Sequence, residues 1–191
     1  MALHITGDAN ADALLDRDPF ALLLGMLLDQ QIPLEKAFSG PAVLAQRLGT
    51  DPLDPSVIAL MDPAAFASVM AGPPAVHRYH TSMAGRVQAL AAQVVERYGG
   101  DPRAIWADAA SGAELTARLR ALPGFGDQKA RIFTALLAKQ RGVRPPGWEE
   151  AAGDYALQGH RSVADVVDTD SLIKVREVKR AAKAAARAGR R

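Results

Sequence analysis

Leu122-Pro123-Gly124-Phe125-Gly126-Asp127-Gln128-Lys129-Ala130 is the stretch on which the reading of this chain turns. Two glycines flanking a single apolar residue make a tight turn in which backbone N–H groups converge without Cβ obstruction. Downstream, Asp127 to Gln140 carries Ala130, Phe133, Leu136 and Leu137 at helical spacing. Upstream, Ala113 to Ala121 places Leu115 and Leu119 on one helical face. The stretch therefore reads as helix, short hairpin, helix, with free amides opening the second helix. Such amides, aided by the helix dipole, form an anion site suited to a phosphate backbone. A Pro-Gly-x-Gly turn also serves as a plain connection between helices, so the turn alone does not decide.

Around it, the chain is 191 residues long, 49% hydrophobic and only 5% aromatic. That length fits one domain, or two small lobes sharing a core. Ala and Leu dominate, which favours helix over sheet, and no alternating β-branched run of strand length occurs. The expected fold class is all-α, a two-lobed helical bundle with a cleft between the lobes. The longest strongly apolar run, Phe20 to Leu28, is nine residues and contains Gly25, too short to span a bilayer. No basic region followed by an apolar signal core opens the chain. The expectation is a soluble, monomeric, cytoplasmic protein with no membrane partner, associated with the nucleoid if bacterial. Cysteine is absent, which excludes disulfides, thiolate nucleophiles and a cysteine-held iron–sulfur cluster. His77 and His80 sit three apart with no carboxylate at ligand spacing, so they read as surface or DNA-facing rather than as a metal pair.

Asp18-Pro19 is a helix-start signal, since Asp caps and Pro suits the first turn. The helix it opens is expected to run to about Gln31, before Pro33. A shorter helix over 11–16 precedes it, and pieces at 34–48, 55–61 and 62–71 follow, punctuated by Asp-Pro pairs. Met83, Val87, Leu90, Val94 and Val95 share a face of a long helix from Thr81 to Tyr98. A short helix near Pro102 to Ala107 precedes the hairpin pair, and a further turn of helix is expected over Glu149 to Tyr155. Eight of the 23 Lys and Arg lie from Lys174 to Arg191 beside one acid, Glu177; the rest of the chain holds 15 basic and 20 acidic residues, a net charge of −5. Lys174 to Lys183 reads as a basic helix that either tracks phosphates or lies solvated at the end of the fold. The main helical domain is expected over 1–160, with the hairpin pair at 113–141 and segment 1–17 packing on it. Residues 161–191 form the C-terminal helix and basic tail.

The hairpin, with its Leu-Pro-Gly-x-Gly followed by a polar pair and Ala, resembles the helix-hairpin-helix motif of the HhH-GPD superfamily of base-excision DNA glycosylases, the endonuclease III and alkyladenine glycosylase relatives. Two further segments resemble that family in the expected order. Leu24-Gly25-Met26-Leu27-Leu28-Asp29-Gln30-Gln31-Ile32 is similar to its early helix with a Gln-containing turn, and Arg78 to Val87, running on to Gly100, is similar to its middle helix. The likeness spans about residues 17 to 142. It implies a DNA-binding repair protein acting on damaged double-stranded DNA. Pro123, Gly124, Phe125, Gly126, Gln128 and Lys129 would meet the backbone, while Gln30 and Gln31 would approach the gap left by a flipped base. Backbone carbonyls of Arg120, Leu122 and Phe125 would hold a monovalent cation, Na+ or K+. No other cofactor is implied, and the iron–sulfur cluster of some relatives is ruled out here.

Cleaving an N-glycosidic bond passes through a cation-like sugar, and a carboxylate normally stabilises it. By the family's spacing that Asp belongs at Pro146 to Trp148, and none of these is acidic. The candidates for the missing acid are Glu149, Glu150 and, beside the glutamines, Asp29. Glu149 and Glu150 also read as first-turn acids favoured by a helix dipole. Trp148 reads as packing into the gap left by the missing Asp, or as stacking on a base. Bifunctional relatives carry a Schiff-base Lys two residues past the second hairpin glycine. Here that residue is Gln128, and Lys129 lies about 100° further round the helix. Lyase chemistry is therefore not expected, and Lys129 reads as a phosphate contact or a solvated charge. The leading expectation is a monofunctional DNA N-glycosylase. The alternatives are a catalytically inactive helix-hairpin-helix DNA-binding protein and, more distantly, a helical adaptor using its basic tail.

Overall fold

The structure, a computed structural model, describes residues 2–188 and contains ten α-helices among them. They are α1 (Ala9–Arg17), α2 (Pro19–Leu28), α3 (Leu34–Leu48), α4 (Pro55–Leu60), α5 (Pro63–Ala71), α6 (His80–Tyr98), α7 (Gly112–Arg120), α8 (Gly126–Gln140), α9 (Trp148–Ala152) and α10 (Thr169–Ala188). Short 3-10 turns lie at Pro102–Ile105, Gly153–Tyr155 and Val163–Asp165. The described residues contain no strand, so the all-α expectation holds. The last residues of the basic tail, 189–191, lie outside the described residues. No helix among them is long and apolar enough to cross a membrane.

Local chemistry explains the helix starts. Asp18, Asp54 and Asp62 each cap a helix whose first residue is proline, and Asp101 caps the 3-10 turn beginning at Pro102. Asp18 does more than cap. One carboxylate oxygen accepts the amides of Phe20 and Ala21, while the other accepts the Leu53 amide at 2.8 Å, tying α2 to the approach to α4. Every residue of α2 from Phe20 to Leu28 is buried, which is why its apolar run shows no polar face. α3 crosses it closely, with a Cβ on Gly25 falling 2.5 Å from Phe38 Cδ1. α4 and α5 pack on α6, and α7 packs on α8 with α9 closing over both.

The core is continuous, from Leu3 and Ile5 through α2, α6 and α8 to Val163, Leu172 and Val175. The last of these show that the segment leading into α10 belongs to it. Gln140 secures that segment by donating to the carbonyls of Val163, Ala164 and Val166, and Lys139 pairs with the buried Asp165 at 2.6 Å.

Two expectations about local structure need correction. α2 stops at Leu28 rather than near Gln31, because Gln31 takes a left-handed backbone (φ 59°) and Ile32, preceding Pro33, is steered away from helix. His77 is fully buried rather than surface-facing.

Candidate nucleic-acid interface

The α7–α8 turn is built around Phe125. Its ring is buried and meets Phe133 edge-on, with centroids 5.8 Å apart. Gly124 and Gly126 on either side have φ of 78° and 61°, a region L side chains rarely adopt, and both are exposed while Pro123 is half-buried. The turn thus anchors one apolar side chain and turns its backbone outward. α8 has no side-chain cap, so its first-turn amides are left to other acceptors. The Leu122 carbonyl accepts the Phe125 amide at 3.2 Å. Asp127, exposed in the first turn of α8, is held by Arg120 at 3.5 Å and by Arg131 at 3.3 Å.

This turn rests on the end of α2. A Cβ added to Gly124 would fall 2.5 Å from Leu27 Cδ1. The Lys129 amine donates to the Leu27 carbonyl at 2.6 Å, so this lysine caps α2 from the side; of its two readings, phosphate contact or solvated charge, the second does not hold. Burial pushes its pKa from 10.5 down to about 8; the Asp29 charge opposes the shift, and those of Arg86 and Lys179 add to it. The unfolded chain then holds this proton more tightly than the folded one. Stability should rise with pH between about 8 and 10.5, since neutralising the amine removes the burial cost. In Lys129→Met that rise should disappear from urea midpoints measured across this window. A variant that kept it would assign the titration to another group.

The residues after α2 gather the remaining partners. Asp29, whose side chain is only 9% exposed, is bound by Lys179 of α10 at 2.9 Å. The side-chain oxygen of Gln30 accepts from Arg86 of α6 at 2.7 Å, while its backbone carbonyl accepts from His77 Nε2 at 2.9 Å. His77 Nδ1 accepts the Tyr79 amide, which fixes the neutral tautomer with its proton on Nε2. Burial lowers the pKa of this imidazole, in keeping with the neutral form. Tyr79 Oη donates to Gln31 at 3.3 Å, and the Arg78 guanidinium lies 4.8 Å above the Tyr79 ring. Asp29, Gln30 and Gln31 are thus brought together with Lys129 and with the turn carrying Gly124.

Glu149 and Glu150 are not brought to that junction. Glu150 lines a groove of about 510 Å³ between α7, α8 and α9, with Arg120, Asp127 and Arg131. Glu149 faces a separate groove with Trp148, His160 and Lys174. Both acids are exposed, and Trp148 is half-buried against the core. Gln128 donates to Tyr155 Oη at 3.0 Å. No metal-binding cluster of His and acids occurs among the described residues.

No family model matches the chain, and neither curated proteins nor solved structures yield a match.

Sequence reasoning did not assign roles to Arg86, Tyr79, Lys179 or Tyr155. Arg86 and Tyr79 lie inside the stretch likened to a middle helix, but nothing in their spacing announces that they meet glutamines about 50 residues earlier. Lys179 is one of eight cations in a run, with no local mark separating it from the rest.

Proposed function

We propose that this chain is a helix-hairpin-helix DNA-binding protein of base-excision repair, with monofunctional N-glycosylase activity centred on Asp29. One observation carries the reading: the backbone-exposing α7–α8 turn, the paired glutamines and a nearly buried carboxylate share the end of α2. In this reading, the first-turn amides of α8 hold a phosphate of the distorted strand, with Lys129 setting the position of the turn against α2. Carbonyls of Arg120, Leu122 and Phe125 would hold a monovalent cation, which would supply positive charge beside the same strand. The two lobes would meet at this junction, and Gln30 and Gln31 would enter the gap left by a flipped base. Asp29 is favoured over Glu149 and Glu150 because it alone of the three lies beside the glutamines. Its negative charge would stabilise the cation-like sugar as the glycosidic bond breaks.

A second reading, a DNA-binding protein without chemistry, is favoured by the Lys179–Asp29 ion pair, which already neutralises that carboxylate. Incubating the full chain with duplexes carrying uracil, alkylated or oxidised bases separates the two. Base release abolished by Asp29→Asn supports the glycosylase; binding without release on every lesion supports the second reading.

Any base release should leave the abasic strand intact, because Gln128 supplies an amide rather than an amine. Covalent trapping by borohydride would contradict this, and its loss in Lys129→Met would identify the amine responsible. Asp127→Asn should tighten DNA binding several-fold, since it frees Arg120 and Arg131 and removes a negative charge beside the α8 amides. The measurement is fluorescence anisotropy on a labelled duplex; weaker binding would count against the turn as the phosphate site.

A further inference from the structure

The basic helix α10 is divided by the fold into cations that are already paired and cations that are not. Arg176, Lys179, Arg180 and Lys183 recur at i, i+3, i+4 and i+7, so they form one stripe along the helix. That stripe faces the α2–α3 connection across a groove of about 520 Å³ whose other wall includes Asp29, Gln31, Pro33 and Glu35. The groove's two acids are both engaged: Glu35 by Arg176 at 3.0 Å and Asp29 by Lys179 at 2.9 Å. The remaining Glu35 oxygen is buried without a hydrogen-bond partner. Arg180 and Lys183 are exposed and make no ion pair with an acid of the described residues. Four cations against two carboxylates leave the groove with two positive charges uncompensated.

We propose that Arg180 and Lys183 hold backbone phosphates of duplex DNA in this groove, extending along α10 the contact made by the α7–α8 turn. The inference rests on the DNA-binding reading given above. Continuity supports it. The groove begins at Asp29 and Gln31, two residues beyond the Leu27 carbonyl that Lys129 holds and beside the residues on which Gly124 rests. A strand crossing the turn meets the stripe next. The chemistry is that of a phosphodiester, because both groups are point or forked cations, on the α10 side of a groove with no aromatic face among its lining residues to stack a base. The carboxylates do not repel it, since each already lies against its own cation.

The test uses the full chain, an undamaged labelled duplex and anisotropy titrations from low to physiological salt. Each phosphate contact contributes about 0.9 to the slope of log affinity against log salt. Arg180→Ala/Lys183→Ala should therefore bind more weakly and lose about 2 from that slope. Both side chains are exposed and alanine suits a helix, so the fold is retained, as circular dichroism would verify. Lys174→Ala removes one charge from the same helix, but Lys174 lines the groove of Asp168 and His160 instead. It should keep the wild-type slope. Wild-type binding with an unchanged slope in the double variant overturns the α10 contact alone. Equal slope losses in Lys174→Ala and Lys183→Ala also overturn it, since they reduce the effect to net charge. Absence of duplex binding by the wild type overturns the DNA reading and this inference together.

Discussion

Gly112→Ala is expected to lower Tm by about 6–12 °C, a loss of about 3 kcal/mol. Gly112 opens α7, and its amide donates to the Pro146 carbonyl at 2.8 Å. A Cβ there would overlap Trp148 Cα and lie 2.6 Å from both Trp148 N and the Gly147 carbonyl oxygen. All three are backbone atoms, so no rotamer change relieves the overlap; α7 and α9 must separate. That separation breaks the hydrogen bond from the Gly112 amide to the Pro146 carbonyl and loosens Trp148 from the core. The effect is read by thermal unfolding of the single variant. A shift of only a degree or two would mean that α9 steps aside without loss. Because α9 carries Glu149 and Glu150, the same variant also tests their importance. Base release that survives in the folded fraction would leave Asp29 as the acid to pursue.

The second large effect is expected from Gly124→Val. A β-branched residue at φ 78° carries a left-handed penalty of about 1–2 kcal/mol, and its Cβ would strike the buried Leu27 side chain at 2.5 Å. The turn would be lifted off α2, the Lys129 contact to Leu27 strained, and duplex binding lost across all sequences, because the contact is to backbone. Gly126→Ala is the informative partner. Its Cβ meets nothing within 4 Å, so it carries the backbone penalty without the collision. Binding should fall in the order wild type, Gly126→Ala, Gly124→Val, as measured by anisotropy on several unrelated duplexes. A folded Gly124→Val that bound DNA normally would remove the turn from the interface.

Helix positions were legible where side chain and backbone are neighbours. Asp-Pro pairs announce starts because the capping carboxylate and the fixed proline φ act within one turn, and Asp18, Asp54, Asp62 and Asp101 behave that way. The glycines of the α7–α8 turn were legible for the same reason. What local pattern cannot carry is contact between distant segments. Lys129 reads as a phosphate contact or a solvated charge until α2 is placed beneath it. His77 reads as a surface or DNA-facing residue until its Nε2–H is seen to donate to the Gln30 carbonyl. The basic run reads as uniform until the fold sets Arg176 and Lys179 against acids and leaves Arg180 and Lys183 outward. Glu149 and Glu150 are adjacent in sequence, yet one residue of rotation, about 100°, sends them to different grooves.

The Lys179–Asp29 pair joins positions 150 apart, and Lys129 reaches Leu27 across 102. The turn after α2 is made well before Lys129 and Lys179, the partners that complete it. Until α10 has been made and has docked, Asp29 stands without its counter-ion and the stripe of cations does not exist as a surface. Early folding of the N-terminal helices therefore yields a packed core before it yields an interface. An unfinished chain would be compact without being able to present the assembled binding surface.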